Sequence, residues 1–143
     1  MRTYEYRHIV GFEETNMAGN VYYVNHLRWQ GRCRELFLRE YARAVLAEFA
    51  GGLALITTKC SCEYIAELNA FDEIIIRMRL ALLTQNRVSM LFDYWRRTDN
   101  GEELVAQGEQ QVVCMRREQE RLIPTPFPTV LRDALQMYAE DQY

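Results

Sequence analysis

No basic run, no long apolar run and no cysteine pair of metal-binding spacing occurs in this chain, and each absence removes a class of function. Lysine and arginine number 17 against 20 aspartate and glutamate, a net charge of −3, so no cationic footprint for a nucleic acid is present. No stretch reaches the roughly 20 apolar residues that span a bilayer, so no membrane partner is expected. The segment from Met1 to Arg7 is polar and aromatic, and no apolar core follows it. A cleaved export signal is therefore not expected, and the expected location is the cytoplasm.

The four cysteines are Cys33, Cys60, Cys62 and Cys114. Cys60 and Cys62 share one face of a strand-like run, but no C-x-x-C or histidine set completes a zinc site. No metal and no cofactor is expected. Without export, disulfides are not expected either, and the thiols read as small buried hydrophobes. A nucleophilic cysteine would need His8 or His26 beside it in the fold. With only 7 glycines and 3 prolines, no linker or low-complexity segment stands out. No repeat is visible, and residues 1–143 read as a single domain. The 49% of hydrophobic residues supplies its core.

Thr3 to Glu13 reads as a strand, rich in Tyr, His, Ile, Val and Phe. A polar turn leads into a long helical stretch, about Val21 to Phe49, which Gly51-Gly52 ends as a C-cap. Four strand-like runs follow: Leu53 to Ile65, Glu73 to Leu83, Arg87 to Arg97 and Glu103 to Arg116. In the second, Ile74, Ile76, Met78, Leu80 and Leu82 alternate with Arg77 and Arg79; in the third, Val88, Met90, Phe92 and Tyr94 share a face. Asp99-Asn100-Gly101 and Gln85-Asn86 are the turn signals between them. Thr129 to Glu140 is a candidate terminal helix. One strand, one helix and a run of antiparallel strands make an α+β plan, a curled meander with a helix against its face. The hotdog fold and a cystatin-like fold both fit that pattern.

Val24, Leu27, Gly31, Arg34, Leu38, Tyr41 and Val45 follow the three-four spacing of one helix face. That stripe is apolar except for Arg34. Burying an unpaired guanidinium is very costly. Arg34 therefore either pairs with a carboxylate, for which Glu63, Glu67 and Glu109 are candidates, or opens into a polar pocket and stabilises a developing oxyanion. Gly31, one turn earlier, clears space for a ligand or for a close strand. Trp29 lies off this stripe. Leu91 and Trp95, opposite Val88 and Met90, line either an acyl tunnel or a subunit interface.

Before the helix stands Glu13-Glu14-Thr15-Asn16-Met17-Ala18-Gly19-Asn20-Val21-Tyr22-Tyr23. Asn20 is a fair N-cap, and the N–H groups of the first helical turn suit an anionic oxygen. Asn16 nearby offers an amide to a carbonyl or a water. The same residues also make an ordinary turn.

The segment from Phe12 to Glu35, FEETNMAGNVYYVNHLRWQGRCRE, resembles the start and central helix of hotdog-fold thioesterases of the 4-hydroxybenzoyl-CoA type. Their pattern is a Thr-Asp pair, a glycine turn, a Val-Tyr or Val-Asn step, and an aromatic helix with Arg-Glu further on. Here it reads Thr15-Asn16, Gly19-Asn20, Val21-Tyr22 and Arg34-Glu35. Glu63-Tyr64-Ile65 and Phe71-Asp72-Glu73 resemble the strand and turn that follow, so the likeness spans most of the chain. Asn16 stands where that family has its catalytic Asp, and an amide is neither a base nor a nucleophile. The wording of the segment resembles the enediyne-biosynthesis thioesterases, a branch that lacks the acidic residue and relies on an Asn and a helix Arg.

This resemblance implies an α+β hotdog fold, one long central helix wrapped by a curled antiparallel sheet of about five strands. It implies hydrolysis of a β-keto polyene thioester carried by the acyl carrier domain of an iterative enediyne polyketide synthase, with possible decarboxylation afterwards. By motif match the catalytic residues are Asn16 and Arg34. Gly19, Asn20, Val21, Tyr22, Tyr23 and Gly31 surround the oxyanion and substrate. It also implies a homo-oligomer, a dimer or a tetramer, with sites at the seam. A generic acyl-CoA thioesterase and a non-catalytic acyl-binding hotdog module are the alternatives.

Overall fold

The computed structural model describes residues 2–139. Strand β1 (Tyr4–Ile9) is followed by a short 3-10 turn at Phe12–Glu14 and by helix α1 (Val24–Tyr41). Helix α2 (Arg43–Glu48) continues it after a break, then come β2 (Leu53–Tyr64), β3 (Glu73–Leu83), β4 (Arg87–Thr98), β5 (Gly101–Glu118), β6 (Arg121–Pro124) and α3 (Thr129–Gln136). The sheet runs in the order β1-β3-β4-β5-β2, with every pairing antiparallel. β6 continues the line of β4 alongside the end of β5, pairing Pro124 with Met115. Bulges at Thr57/Lys59, Leu80/Leu82 and Tyr94/Trp95 bend the long strands, and such insertions increase local twist and curl a sheet.

Helix α1 lies against the face built from Ile76, Met78, Phe92 and Tyr94, in register across β3 and β4. These side chains and Trp29, Cys33 and Phe37 of α1 form the core. This is the expected α+β hotdog architecture. The sheet has a sixth strand, β6, which is short, exposed along its length and carries no hydrophobic alternation in the sequence.

The helix differs from its sequence reading in three ways. It begins at Val24 rather than Val21, and it breaks at Ala42, whose φ of −140° and ψ of 40° are not helical. Its buried face runs through His26, Trp29, Gln30, Cys33 and Phe37, so the stripe carrying Gly31 and Arg34 is the flank of the buried face, not its centre. Two of the polar residues on the inner face, Asn25 and Gln30, have donors with partners there. The Asn25 amide donates to the Glu14 carbonyl (2.8 Å) and the Gln30 amide to the Ser61 carbonyl (2.9 Å). Gln30 passes so close to Gly108 of β5 that no Cβ fits at 108 without a clash. Trp29, read as lying off the core, is only 3% exposed.

Three smaller corrections follow from local geometry. β1 ends at Ile9 because the chain turns into the 3-10 segment. The β4–β5 turn is Asp99-Asn100, and Gly101 already pairs with Thr98, at a φ of 142° that suits glycine. α3 ends at Gln136, and the last residue of its expected span, Glu140, lies outside the described residues. α2 ends at Glu48, short of the expected glycines, and Gly52, at φ 104°, caps the 3-10 turn Phe49–Gly51 that follows it. Among the described residues no helix is long and apolar enough to cross a membrane.

Candidate active site

The loop between β1 and α1 is pinned by one carboxylate. Glu14 Oε1 accepts from the Gly11 N–H (2.8 Å) and meets His8 Nε2 (2.7 Å), while Oε2 accepts from Trp29 Nε1 (2.7 Å). Burial pushes this carboxyl up, but the bonds from Gly11, His8 and Trp29 outweigh burial and hold it below the ordinary carboxylate range. Glu14 therefore fixes the segment that presents Asn16.

Asn16 is exposed at the turn tip. Its Oδ1 accepts from the Ala18 N–H (2.9 Å). Gly19 closes the turn at φ 90°. Asn20 is not the N-cap. Tyr23 holds that position, and no side chain caps the helix. Several N–H groups expected to serve an oxyanion are already taken: Gly19 donates to the Asn16 carbonyl, Val21 to Leu68 and Tyr22 to Glu14. The donors that remain lie at the true start of α1, where the Asn25 N–H is in turn taken by the Tyr22 carbonyl. Tyr22 and Tyr23 are exposed side by side. Tyr64 ties β2 to the helix start by donating to the Tyr23 carbonyl (2.7 Å).

Asn16, Asn20, Val21 and Tyr23 line a cleft of about 350 Å³ with His26 and Tyr64, a size that suits a small ligand. Glu67 is the carboxylate on its wall, and it is exposed. The sequence placed none of His26, Tyr64 and Glu67 here: it offered His26 only as a possible neighbour of a cysteine, Glu67 only as a partner for Arg34, and Tyr64 only within the family match. The only available signal was the aromatic density around residues 22–29.

Arg34 is elsewhere. It sits ten residues into α1, about 15 Å from the helix start at 1.5 Å per residue, and lines a separate apolar fissure with Phe37, Leu55, Met90 and Leu131. One protomer therefore does not bring Arg34 to the positive end of its helix or to Asn16. The guanidinium is partly buried and its Nη1 donates to Thr57 Oγ1 (2.9 Å) and Gln110 Oε1 (2.8 Å). Neither Glu63, Glu67 nor Glu109 pairs with it, so the structural ion pair is not formed. Burial lowers its pKa, with Glu35 acting in the opposite direction. A cation held only by neutral oxygens keeps its full charge for an incoming anion. Gly31, on the same flank, faces open space.

Leu91 and Trp95 lie on the outer sheet face, where Arg77 covers Trp95 at 5.7 Å; they do not line the fissure. Cys33 and Cys114 are buried, but Cys60 is exposed and Cys62 half-buried, because β2 is an edge strand. Burial pushes the Cys33 thiol up to about 12 and Cys62 and Cys114 up to about 11. His8 is engaged by Glu14 and Tyr6, and His26 is boxed by aromatic rings. The arrangement thus lacks an activated thiol. What it offers is hydrogen-bond donors and a cation hydrogen-bonded only to neutral oxygens among the described residues, the equipment for stabilising an oxyanion during water attack.

The model of the thioesterase-like superfamily matches residues 10–135. The chain is 47% identical to the dynemicin thioesterase, whose crystal structures concern polyene binding, with a TM-score of 0.94 over 99% of this chain and 100% of that one. A 1,4-dihydroxy-2-naphthoyl-CoA thioesterase from Synechocystis superposes at a TM-score of 0.78 with 20% identity over 94% and 96% of the two chains. A gentisyl-coenzyme A thioesterase does so at 0.76 with 20% identity over 92% and 98%. The last two show likeness of fold alone. No protein with curated annotation matches the chain.

Proposed function

Starting from the chain's membership of the thioesterase-like superfamily, and hence from thioester hydrolysis as its chemistry, we propose that its substrate is a β-keto polyene thioester carried by the acyl carrier domain of an iterative enediyne polyketide synthase. The likeness to the dynemicin thioesterase supports this substrate class. The observation that carries the mechanism is the partly buried Arg34 guanidinium, bonded to neutral oxygens and, among the described residues, to no carboxylate.

Water attacks the thioester carbon directly. The carbonyl oxygen becomes an oxyanion, which Arg34 and the N–H groups at the start of α1 stabilise, and the Asn16 amide orients the carbonyl or the water. The C–S bond then breaks. The carrier arm leaves as a thiolate that takes the proton released by the attacking water, and the acyl group leaves as a β-keto acid. Such an acid can lose CO₂ afterwards in solution. A thioester is activated, and its β-keto group activates it further, so no carboxylate base is needed at Asn16.

Asn16 and Arg34 line different cavities in one protomer, so the complete site is assembled at the seam of a homo-oligomer. There Asn16 of one protomer meets Arg34 of the partner subunit. The outer edge of β2 is unpaired among the described residues and offers twelve residues of backbone for such an assembly. Coexpression with an enediyne polyketide synthase tests the function. Release of a pigmented polyene only when this chain is present is the expected result. Faster hydrolysis of the same acyl group from free CoA than from the carrier domain would refute the carrier reading.

A further inference from the structure

The cleft at the start of α1 holds polar groups with nothing to bond. His26 is 3% exposed, and neither of its ring nitrogens makes a hydrogen bond of good geometry among the described residues; the nearby Tyr23 carbonyl, which acts weakly on the ring, is already taken by the Tyr64 hydroxyl. Asn20 Oδ1 is buried in the same state, and both residues line the cleft. The imidazole is held by packing instead. Trp29, Tyr64 and Tyr94 surround it with ring centroids 5.1, 4.7 and 5.6 Å away. Its backbone is anchored by the Tyr94 hydroxyl, which donates to the His26 carbonyl at 2.7 Å. Buried polar side chains in folded proteins are nearly always satisfied. Two that are not, on one cleft wall, point to a donor and an acceptor supplied by a ligand.

The chemistry of that ligand follows from the inventory. A neutral imidazole offers one N–H and one lone pair, and the Asn20 oxygen adds an acceptor. Their complement is an uncharged group that carries an acceptor beside a donor hydrogen. A saturated acyl chain carries neither. The enol of a β-keto thioester carries both, a carbonyl oxygen and an O–H. The amides of the carrier arm also carry both, but the arm must run outward to a carrier at the surface, while the deeply buried His26 faces what runs inward. Resting on the β-keto reading above, we propose that His26 and Asn20 are the specificity-determining pair that binds the enolised β-oxygen of the substrate. Burial pushes the His26 pKa down to about 4, so the ring is uncharged at neutral pH and keeps both a donor and an acceptor.

His26→Phe keeps an aromatic ring in the box and removes both nitrogens. The test compares kcat/KM for a β-ketoacyl thioester and for its saturated counterpart on the same carrier domain. In His26→Phe the ratio of the two is expected to fall about tenfold or more, because a site built for a hydrogen-bonding group discriminates strongly against its absence. His26→Gln, which retains a donor and an acceptor, is expected to recover part of the ratio. An unchanged ratio, including one in which both rates fall together, overturns the proposal.

The chain has only two histidines, so ¹⁵N resonances of the rings can be read on the unmodified protein, which keeps the test open if His26→Phe does not fold. A non-hydrolysable 1,3-diketone analogue on pantetheine, with CH₂ in place of the thioester sulfur so that it still enolises, is expected to shift the His26 nitrogens, and the analogue lacking the β-oxygen is not. Equal shifts with both would assign the contact to the carrier arm, and no shift would leave the cleft to water; either overturns the proposal. A wild-type protein that hydrolyses neither thioester refutes the thioesterase reading itself, and the ¹⁵N experiment then still decides the role of His26.

Discussion

Two polar clusters flank the first turns of α1, and they are built in opposite ways. Around Glu14 every group is used: Gly11, His8 and Trp29 satisfy both carboxylate oxygens, and Tyr6 reaches the other nitrogen of His8. On the ligand side of the helix the accounts do not close. His26 and Asn20 have buried atoms without partners, and Arg34 is bonded to neutral oxygens and to no carboxylate among the described residues. Burial makes polar groups expensive in both places. A saturated cluster therefore stabilises the fold, and an unsaturated one is left for something outside the chain. Glu14, although it is the acidic residue nearest in sequence to the amide at Asn16, is on the structural side of that division.

The contrast is sharpest at Arg34. Arg34→Ala is expected to lower kcat/KM by about 10²–10³, the cost of losing one oxyanion donor, with the circular dichroism spectrum unchanged. Near-normal turnover would move Arg34 to the structural side. Glu14→Ala is the reverse case. It strands the Trp29 and Gly11 donors and is expected to cost about 2–4 kcal/mol of stability, read by urea unfolding. A loss of turnover at full stability would instead place Glu14 in the chemistry.

Smaller effects test how the open side is completed. Coexpressed Asn16→Ala and Arg34→Ala chains are each expected to be nearly inactive alone. Together they are expected to recover about a quarter of wild-type activity, since half of the random dimers hold one intact seam site of two. No recovery would mean that each site is built within one chain.

The two clusters also separate along the pH axis. The native pKa of His26 lies below its ordinary value of 6.5, at about 4. Its contribution is fully present above pH 6.5 and drains away as pH falls from there to about 4. The native pKa of Glu14 lies below its ordinary 4.5, so its contribution is intact above 4.5 and is lost only as pH falls below it. Stability measured against pH is expected to lose its slope between 6.5 and 4.5 in His26→Phe, and to be altered only below 4.5 in Glu14→Gln. A single shared slope change in both variants would show that the clusters titrate together.

Much of this was legible in the residue order where side-chain period and burial agree. The alternation in Ile74, Ile76, Met78 and Leu80 located β3 with its ends at Glu73 and Leu83, because a sheet face has one apolar side and a period of two. The helix was harder to read. Hydropathy alone favoured the row through Leu27, Gly31 and Arg34, because Asn25, His26 and Gln30 look like surface residues until their partners in the loop, β2 and the aromatic box are in place. Asn20 has the chemistry of a cap, yet its neighbour Val21 bonds to Leu68, a partner 47 positions away that no local rule supplies. Arg34 was flagged for the right reason, its poor fit to an apolar row, although the row itself is a flank.

The order of the residues by itself determined the curled sheet, the single crossing helix and, through the Thr15–Tyr23 and Arg34 pattern, the family resemblance. These depend on short-range periodicity and on local backbone preferences. Only the tertiary structure decided which polar groups are satisfied, since a hydrogen bond or an ion pair depends on distances between residues far apart in the chain. That is why the fold separates Asn16 from Arg34 within one protomer, closes the shell around Glu14, and leaves His26 open to the cleft.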